Sequence, residues 1–169
     1  MTYKHSFKGP FYFLPAIMLF ILVVPSCTKD DSRVGETYEM SFSVNGTTVK
    51  YTSQASLLAN FANTGAQYLA VFTGNDATSS MNITAYDDQP VSKKSYSGYA
   101  TSGTALVGVL MTYQDNDGTV FSQGGGDVIV SISSITDTSV SGTFSGILKA
   151  SGKPDMVITD GKFTLKRTG

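Results

Sequence analysis

Between residues 36 and 166 apolar and polar positions alternate along this chain. Tyr38, Met40, Phe42 and Val44 fall on one side of the alternation and Glu39, Ser41 and Ser43 on the other, the period of a strand with one buried face. Asn45-Gly46 comes next. Both residues tolerate positive φ, so the pair predicts a two-residue hairpin turn, with residues 47–52 as the return strand. Residues 67–73 form a compact apolar strand closed by Gly74-Asn75-Asp76. Met81, Ile83 and Ala85 alternate with Asn82, Thr84 and Tyr86. A longer loop containing Pro90 is expected over residues 87–95, and another strand over 105–113. Asp115-Asn116-Asp117-Gly118 turns that strand into residues 119–122, and Gly124-Gly125-Gly126 predicts a loop or sharp bend. Val128, Val130 and Ile132 alternate with Ser131 and Ser133, and residues 140–150 and 156–166 form the last pair.

Residues 53–63 are ambiguous, because Leu57, Leu58, Phe61 and Ala62 also fit one helical face. The β context and Gly65 favour a strand or a single helical turn. Many short strands separated by turn residues predict an all-β fold: one antiparallel β-sandwich or barrel-like domain over residues 36–169. Its expected core includes Phe42, Val44, Leu69, Val71, Ile83, Val130, Ile132, Phe144, Phe163 and Leu165. Phe144 is in phase with Gly142 and Gly146, small residues that let another element approach a large ring.

The first residues read differently. Lys4 and Lys8 precede an apolar stretch, Ala16 to Val24, that is too short for a bilayer span of about 20 residues and has the layout of a secretory signal. Val24-Pro25-Ser26-Cys27 resembles the lipobox of bacterial lipoproteins, although Pro25 departs from the usual pattern. The expectation is a signal peptide over residues 1–26, a lipid on Cys27, and a flexible tether over residues 27–35. Cys27 is the only cysteine, so no intramolecular disulfide is available. Lys29-Asp30-Asp31 resembles the acidic export tags that follow the lipidated cysteine in Bacteroidota. That resemblance implies a lipid-anchored protein on the outer face of the outer membrane.

Composition narrows the chemistry. Removal of Lys4 and Lys8 leaves ten basic side chains against thirteen acidic ones, with no basic run longer than Lys93-Lys94, so no nucleic-acid partner is expected. The only histidine, His5, leaves with the signal. The mature chain then has no imidazole for a triad or a zinc site. It carries no phosphate-binding loop and no nucleophile elbow. No metal and no cofactor are expected.

Three runs stand out near the C-terminus: Asp127-Val128-Ile129-Val130-Ser131-Ile132, Val140-Ser141-Gly142-Thr143-Phe144-Ser145-Gly146, and Val157-Ile158-Thr159-Asp160-Gly161-Lys162-Phe163-Thr164-Leu165. The Ser-Gly-Thr-Phe strand paired with a closing Ile-Thr-Asp-Gly-Lys-Phe strand resembles a group of uncharacterised Bacteroidota lipoproteins. An opening Ser-Val-Asn-Gly hairpin, here Ser43 to Gly46, is also common in that group. The resemblance implies an antiparallel β domain on a lipid anchor and transfers no catalytic residue.

Few residues suggest a site. Asp115-Asn116-Asp117-Gly118 invites a calcium reading, but an EF-hand would need acids at Tyr113 and Gly124. Asp87-Asp88 suggests half of a carboxylate pair with no identifiable partner. Asp127 is a further isolated acid. Tyr86, Tyr96, Tyr99 and Tyr113 cluster around the central loops and form the expected ligand platform, since tyrosines offer a flat face with a polar tip. Together these features point to a non-enzymatic surface lipoprotein that serves as a binding or accessory module for glycan, peptide or an envelope protein. The alternatives are a carboxylate-dependent hydrolase, and an adhesin or structural subunit that pairs through its sheet edges.

Overall fold

The computed structural model describes residues 36–168. Eleven strands account for most of them, and no helix occurs among the described residues. In chain order they are β1 (Glu39–Val44), β2 (Thr47–Tyr51), β3 (Leu58–Asn63), β4 (Tyr68–Asn75), β5 (Ser80–Asp87), β6 (Ser95–Ser97), β7 (Tyr99–Ser102), β8 (Ala105–Gln114), β9 (Val120–Ile135), β10 (Ser139–Lys149) and β11 (Met156–Thr168). β10, β9, β8, β5, β4, β3 and β11 pair in that order, and β11 pairs back onto β10. The hydrogen-bonded path therefore closes on itself, and the domain is all-β and barrel-like.

Two hairpin-like insertions complete the wall. β8 and β9 touch only through Thr112–Gln114 and Val120–Ser122. Where they diverge, β6 pairs with β9 and β7 with β8, and Gly98 bridges the two by accepting from Val109 and donating to Val128. On the other side, β11 shares one edge between two partners. β1 takes residues 158–164, and β3 takes Lys166, Arg167 and Thr168. The β3–β11 contact is parallel, so the sheet is mixed rather than purely antiparallel as the hairpin pattern predicted. A parallel contact needs a long crossover. Residues far apart in sequence supply it, which no local pattern reveals.

The strand directions define two ends. Glu36, Tyr38 and the β9–β10 turn lie at one: Ser139 and Thr138 donate to the Glu36 carboxylate at 3.0 and 3.2 Å, and Tyr38 donates to it at 3.1 Å. The Asn45-Gly46 turn, the β4–β5 turn, the β8–β9 turn and the β10–β11 turn gather at the other. Asn45 and Gly46 have φ of 48° and 84°, as a hairpin turn that matches strand twist requires. Asn45 Oδ1 also accepts from Val157 at 2.8 Å, fixing the turn to β11.

The core fills the barrel. Met40, Phe42, Ile83, Val130, Ile132, Phe144, Phe163 and Leu165 are all buried. Phe42 stands between Tyr51, Tyr113 and Phe144 at centroid separations of 5.8, 5.7 and 5.6 Å, and Phe72 stacks on Phe163 at 5.1 Å. Each fully buried aliphatic or aromatic side chain contributes about 1.5–3 kcal/mol of transfer free energy.

Three expectations need correction. In β4 the buried residues are Ala70, Phe72 and Gly74, whereas Leu69 and Val71 are half-buried on the outer face. The strand was out of phase because both faces are apolar and Phe72 outweighs its neighbours in the core. Val44 is half-buried, packed against the core from the end of β1. The glycine run at 124–126 does not break the chain: β9 continues through it. There β10 advances two residues, from Gly146 opposite Val128 to Leu148 opposite Gln123, while β9 advances five, so β9 holds a special bulge of three extra residues. Residues 58–63 resolve as a strand.

Gly161 tests the close approach of β10 and β11. A Cβ there would collide with the Phe144 carbonyl and with its ring. Backbone is on one side of the collision, so side-chain motion does not relieve it. Gly161→Ala is expected to cost about 1–3 kcal/mol, the usual scale of overpacking. A urea midpoint within error of the wild type would contradict this packing.

Candidate functional site

The turns at the end opposite Glu36 enclose an open cleft of about 700 Å³. One wall is β2, from Thr47 to Lys50. Facing it are Asp76, Thr78 and Ser79 of the β4–β5 turn, and Asp115 to Asp117 of the β8–β9 turn close the end. The cleft arises because the ring is split on this side: β3 leaves β4 after Thr73, and β2 makes no pairing with β4. Tyr51 and Met40 seal the split from inside, occupying the space where a Cβ on Gly74 would sit.

The floor is a hydroxyl network. The buried Tyr51 and Ser79 hydroxyls lie 2.8 Å apart, and Tyr113 stands beside them. Burial is the main reason both tyrosine hydroxyls titrate above their usual range; for Tyr113 the Ser79 hydrogen bond opposes it. Both phenols are therefore neutral donors at any ordinary pH.

The acids of the cleft are mostly committed. Asp76 Oδ1 accepts from the Thr78 N–H at 2.8 Å, the Thr78 hydroxyl at 2.9 Å and the Ser79 N–H at 2.8 Å. The Thr78 N–H bond leads the groups that hold its pKa below the ordinary carboxylate value, against the opposing effect of burial. Asp115 Oδ1 accepts from the N–H of Asp117 and of Thr119 at 3.0 and 2.8 Å. These are turn-forming bonds of the Asx kind. The Asp117 carboxylate points to no such partner among the described residues. Lys50 pairs with Glu39 across the hairpin at 2.9 Å. Among the described residues no group of three histidine, cysteine or acidic side chains is placed to hold a metal ion.

A second cluster lies near the opposite end. Asp87 is buried, with Lys94 at 2.6 Å and the Tyr96 hydroxyl donating at 3.1 Å. Tyr96 also accepts from the Ser92 N–H at 3.0 Å, so the three side chains tie the loop 88–94 against β5 and β6. Burial raises the Asp87 pKa, but hydrogen bonds from Lys94 and Tyr96 outweigh it, and the carboxyl titrates below its usual range. The Asp87 bond is also the first reason Lys94 titrates above its usual value. The sequence places Asp87 at the start of the loop expected over residues 87–95, yet it is the buried end of β5. The expectation failed because the residue ends β5 on its inward face, and only the fold of the following loop brings Lys94 and Tyr96 over it. Asp88 is exposed and accepts from Ser102 at 2.9 Å, and Asp127 is exposed on β9.

The four tyrosines do not come together as a platform. Tyr99 is 57% exposed and Tyr86 half-buried; Tyr96, only 2% exposed, lines a separate pocket with Tyr99, and Tyr113, 5% exposed, belongs to the floor of the cleft. Tyrosines at strand ends look alike in sequence whether they point in or out; the bulges and register shifts decide. Tyr51 and Ser79 were missed altogether. Tyr51 ends the return strand on its inward phase, a signal present in the alternation. Its pairing with a turn residue 28 positions later is not local. Cys27, Lys29, Asp30 and Asp31 lie outside the described residues.

These observations define a class: a barrel-like β domain with a filled core and one open, polar end. No protein-family model, no curated protein and no solved structure matches the chain.

Proposed function

We propose that the protein is a lipid-anchored envelope binding module, without catalytic activity, that engages its ligand in the cleft between β2 and the β4–β5 and β8–β9 turns. The observation that carries this reading is the placement of the cleft. It opens at the end of the domain opposite Glu36, where the described chain begins. An open polar cleft formed by turns at one end of a filled barrel gives a ligand access to side chains and backbone alike. The outer face of the outer membrane is the location the Lys29-Asp30-Asp31 tag favours, and the group of Bacteroidota lipoproteins resembled by the strand motifs is the proposed family. The carboxylates support binding over hydrolysis, since Asp76 and Asp115 each spend one oxygen, Oδ1, on holding the turn that carries them. Asp76, whose pKa those turn bonds hold low, is a poor general acid.

Two measurements test the reading. Membrane-extracted protein should carry acyl chains on Cys27 and lack residues 1–26 by mass spectrometry, and Cys27→Ser should release the protein from the membrane. Asp117→Lys, at the exposed tip of the β8–β9 turn, should abolish binding of the envelope ligand while leaving stability unchanged within about 0.5 kcal/mol, as for most surface substitutions. An unmodified Cys27, or a clear turnover lost in Asp88→Asn or Asp127→Asn, would overturn it.

A further inference from the structure

The split in the barrel wall has a strand edge on one side of it. β2 pairs with β1 through Val44↔Thr47, Phe42↔Val49 and Met40↔Tyr51, with Ser43↔Thr48 and Ser41↔Lys50 between them. Val44 and Thr47 flank a two-residue turn, so they form a hydrogen-bonded pair. Bonded and non-bonded pairs then alternate along the hairpin. Thr47, Val49 and Tyr51 spend their N–H and C=O groups on β1. Thr48 and Lys50 direct theirs to the opposite edge, and there they meet no backbone or side-chain partner among the described residues.

We propose that this edge is the ligand-contacting element of the cleft, and that its ligand is an extended, cationic peptide segment that adds as a strand beside β2. The proposal rests on the binding-module reading above and names the ligand class of that same cleft. Three features support it. The edge is open, since Thr47, Thr48 and Lys50 are all exposed. The space beside it is the cleft itself, so a guest strand has somewhere to lie, between β2 and the Asp76–Ser79 turn. And the lining is acidic: Asp76, Asp115 and Asp117 face the space against Lys50 alone, and Lys50 is already paired with Glu39. Main-chain bonds to Thr48 and Lys50 supply affinity in this mode, and side chains on alternate residues supply selection. Lysine or arginine side chains on the guest would meet Asp117, whose carboxylate no turn bond consumes.

The same edge is poorly suited to open-ended self-assembly. β2 is only five residues long and carries a lysine, both of which discourage edge-to-edge association. A finite guest strand is the occupant that fits a short edge inside a walled cleft.

A phage-displayed library of random twelve-residue peptides, panned on the full chain in detergent, tests this directly. Enriched peptides should be rich in lysine or arginine at alternating positions. On binding, the amide protons of Thr48 and Lys50 should exchange with deuterium at least tenfold more slowly. N-methylation of alternate peptide residues should weaken binding at least tenfold. Thr48→Pro removes the outward N–H without touching the β1 ladder, as edge strands tolerate. It should weaken binding at least tenfold with an unchanged circular dichroism spectrum. A urea midpoint of Thr48→Pro within error of the wild type separates a lost N–H from a folding defect, and the N-methylated peptides test the same bonds on the unaltered protein. Failure to enrich any peptide, or enriched peptides indifferent to N-methylation and to Thr48→Pro, would overturn strand addition. Binding of envelope oligosaccharides lost in Asp117→Lys but untouched by Thr48→Pro would also overturn it, while leaving the binding-module reading in place.

Discussion

Phe144→Ala should lower the stability of the domain by about 3–5 kcal/mol, the range for deleting a buried aromatic ring. Phe144 is 3% exposed and lies between Phe42 and Phe163, at centroid separations of 5.6 and 6.3 Å. Gly161 lies directly beneath its ring. The surroundings cannot collapse easily into the space left behind. Phe42 is already held by Tyr51 and Tyr113, and Phe163 by Phe72. The cost should therefore fall at the upper part of the range, where cavity and transfer terms add. Equilibrium urea unfolding at neutral pH measures it. A loss below about 1 kcal/mol, typical of an exposed or well-relaxed site, would place the ring outside the core and invert the phase of β10.

Asp87→Ala is the second large effect, expected at about 1–3 kcal/mol, because it leaves the buried Tyr96 hydroxyl without its carboxylate acceptor. Lys94 contributes less: its side chain is 45% exposed and rehydrates when the pair is broken. Tyr96→Phe should cost less than Asp87→Ala, and the double variant should fall short of the sum, because the two share one hydrogen bond of 3.1 Å. The pH dependence follows from the lowered pKa of Asp87. A carboxyl whose folded value lies below the unfolded one contributes its full stability above the unfolded value, here the ordinary 3.8, and loses it as pH falls through the folded value. Asp76, also lowered, acts in the same direction. Wild-type stability should therefore fall as pH drops below about 4, and Asp87→Asn should flatten that fall. Unfolding midpoints measured at pH 7, 4 and 2.5 decide it, and a slope unchanged in Asp87→Asn would show that the carboxylate makes no favourable contact.

The dispersal of the four tyrosines and the burial of Asp87 have one cause. Alternation assigns a residue to a face of its strand, but not that face to a neighbour. Tyr96 belongs to β6, a three-residue strand that no periodicity could show. It is buried because β8 and β9 diverge and leave a gap for it. Gln67 makes the same point. Its side chain donates to the carbonyls of Tyr68, Asp87 and Leu106 and accepts from the Leu106 N–H. It thereby ties together three connections whose sequence separation hides them.

By itself the sequence determined the local events. The period-two alternation specified β1, β5 and β11 and their inward faces, and the apolar run over 105–113 marked β8 as a strand. Asn45-Gly46 specified the hairpin, since few other pairs adopt positive φ at both positions without strain. The absence of histidine beyond His5 and of cysteine beyond Cys27 bounded the chemistry. Tertiary structure alone decided how the strands close. The parallel contact of β3 on β11, the bulge at the glycine run, the phase of β4 and the split beside β2 all depend on pairings between distant residues. Such pairings are selected by how well the whole set of side chains fills one core. The candidate site belongs to this second group: its cleft exists because β2 and β4 stay apart, and no single stretch of sequence encodes that separation.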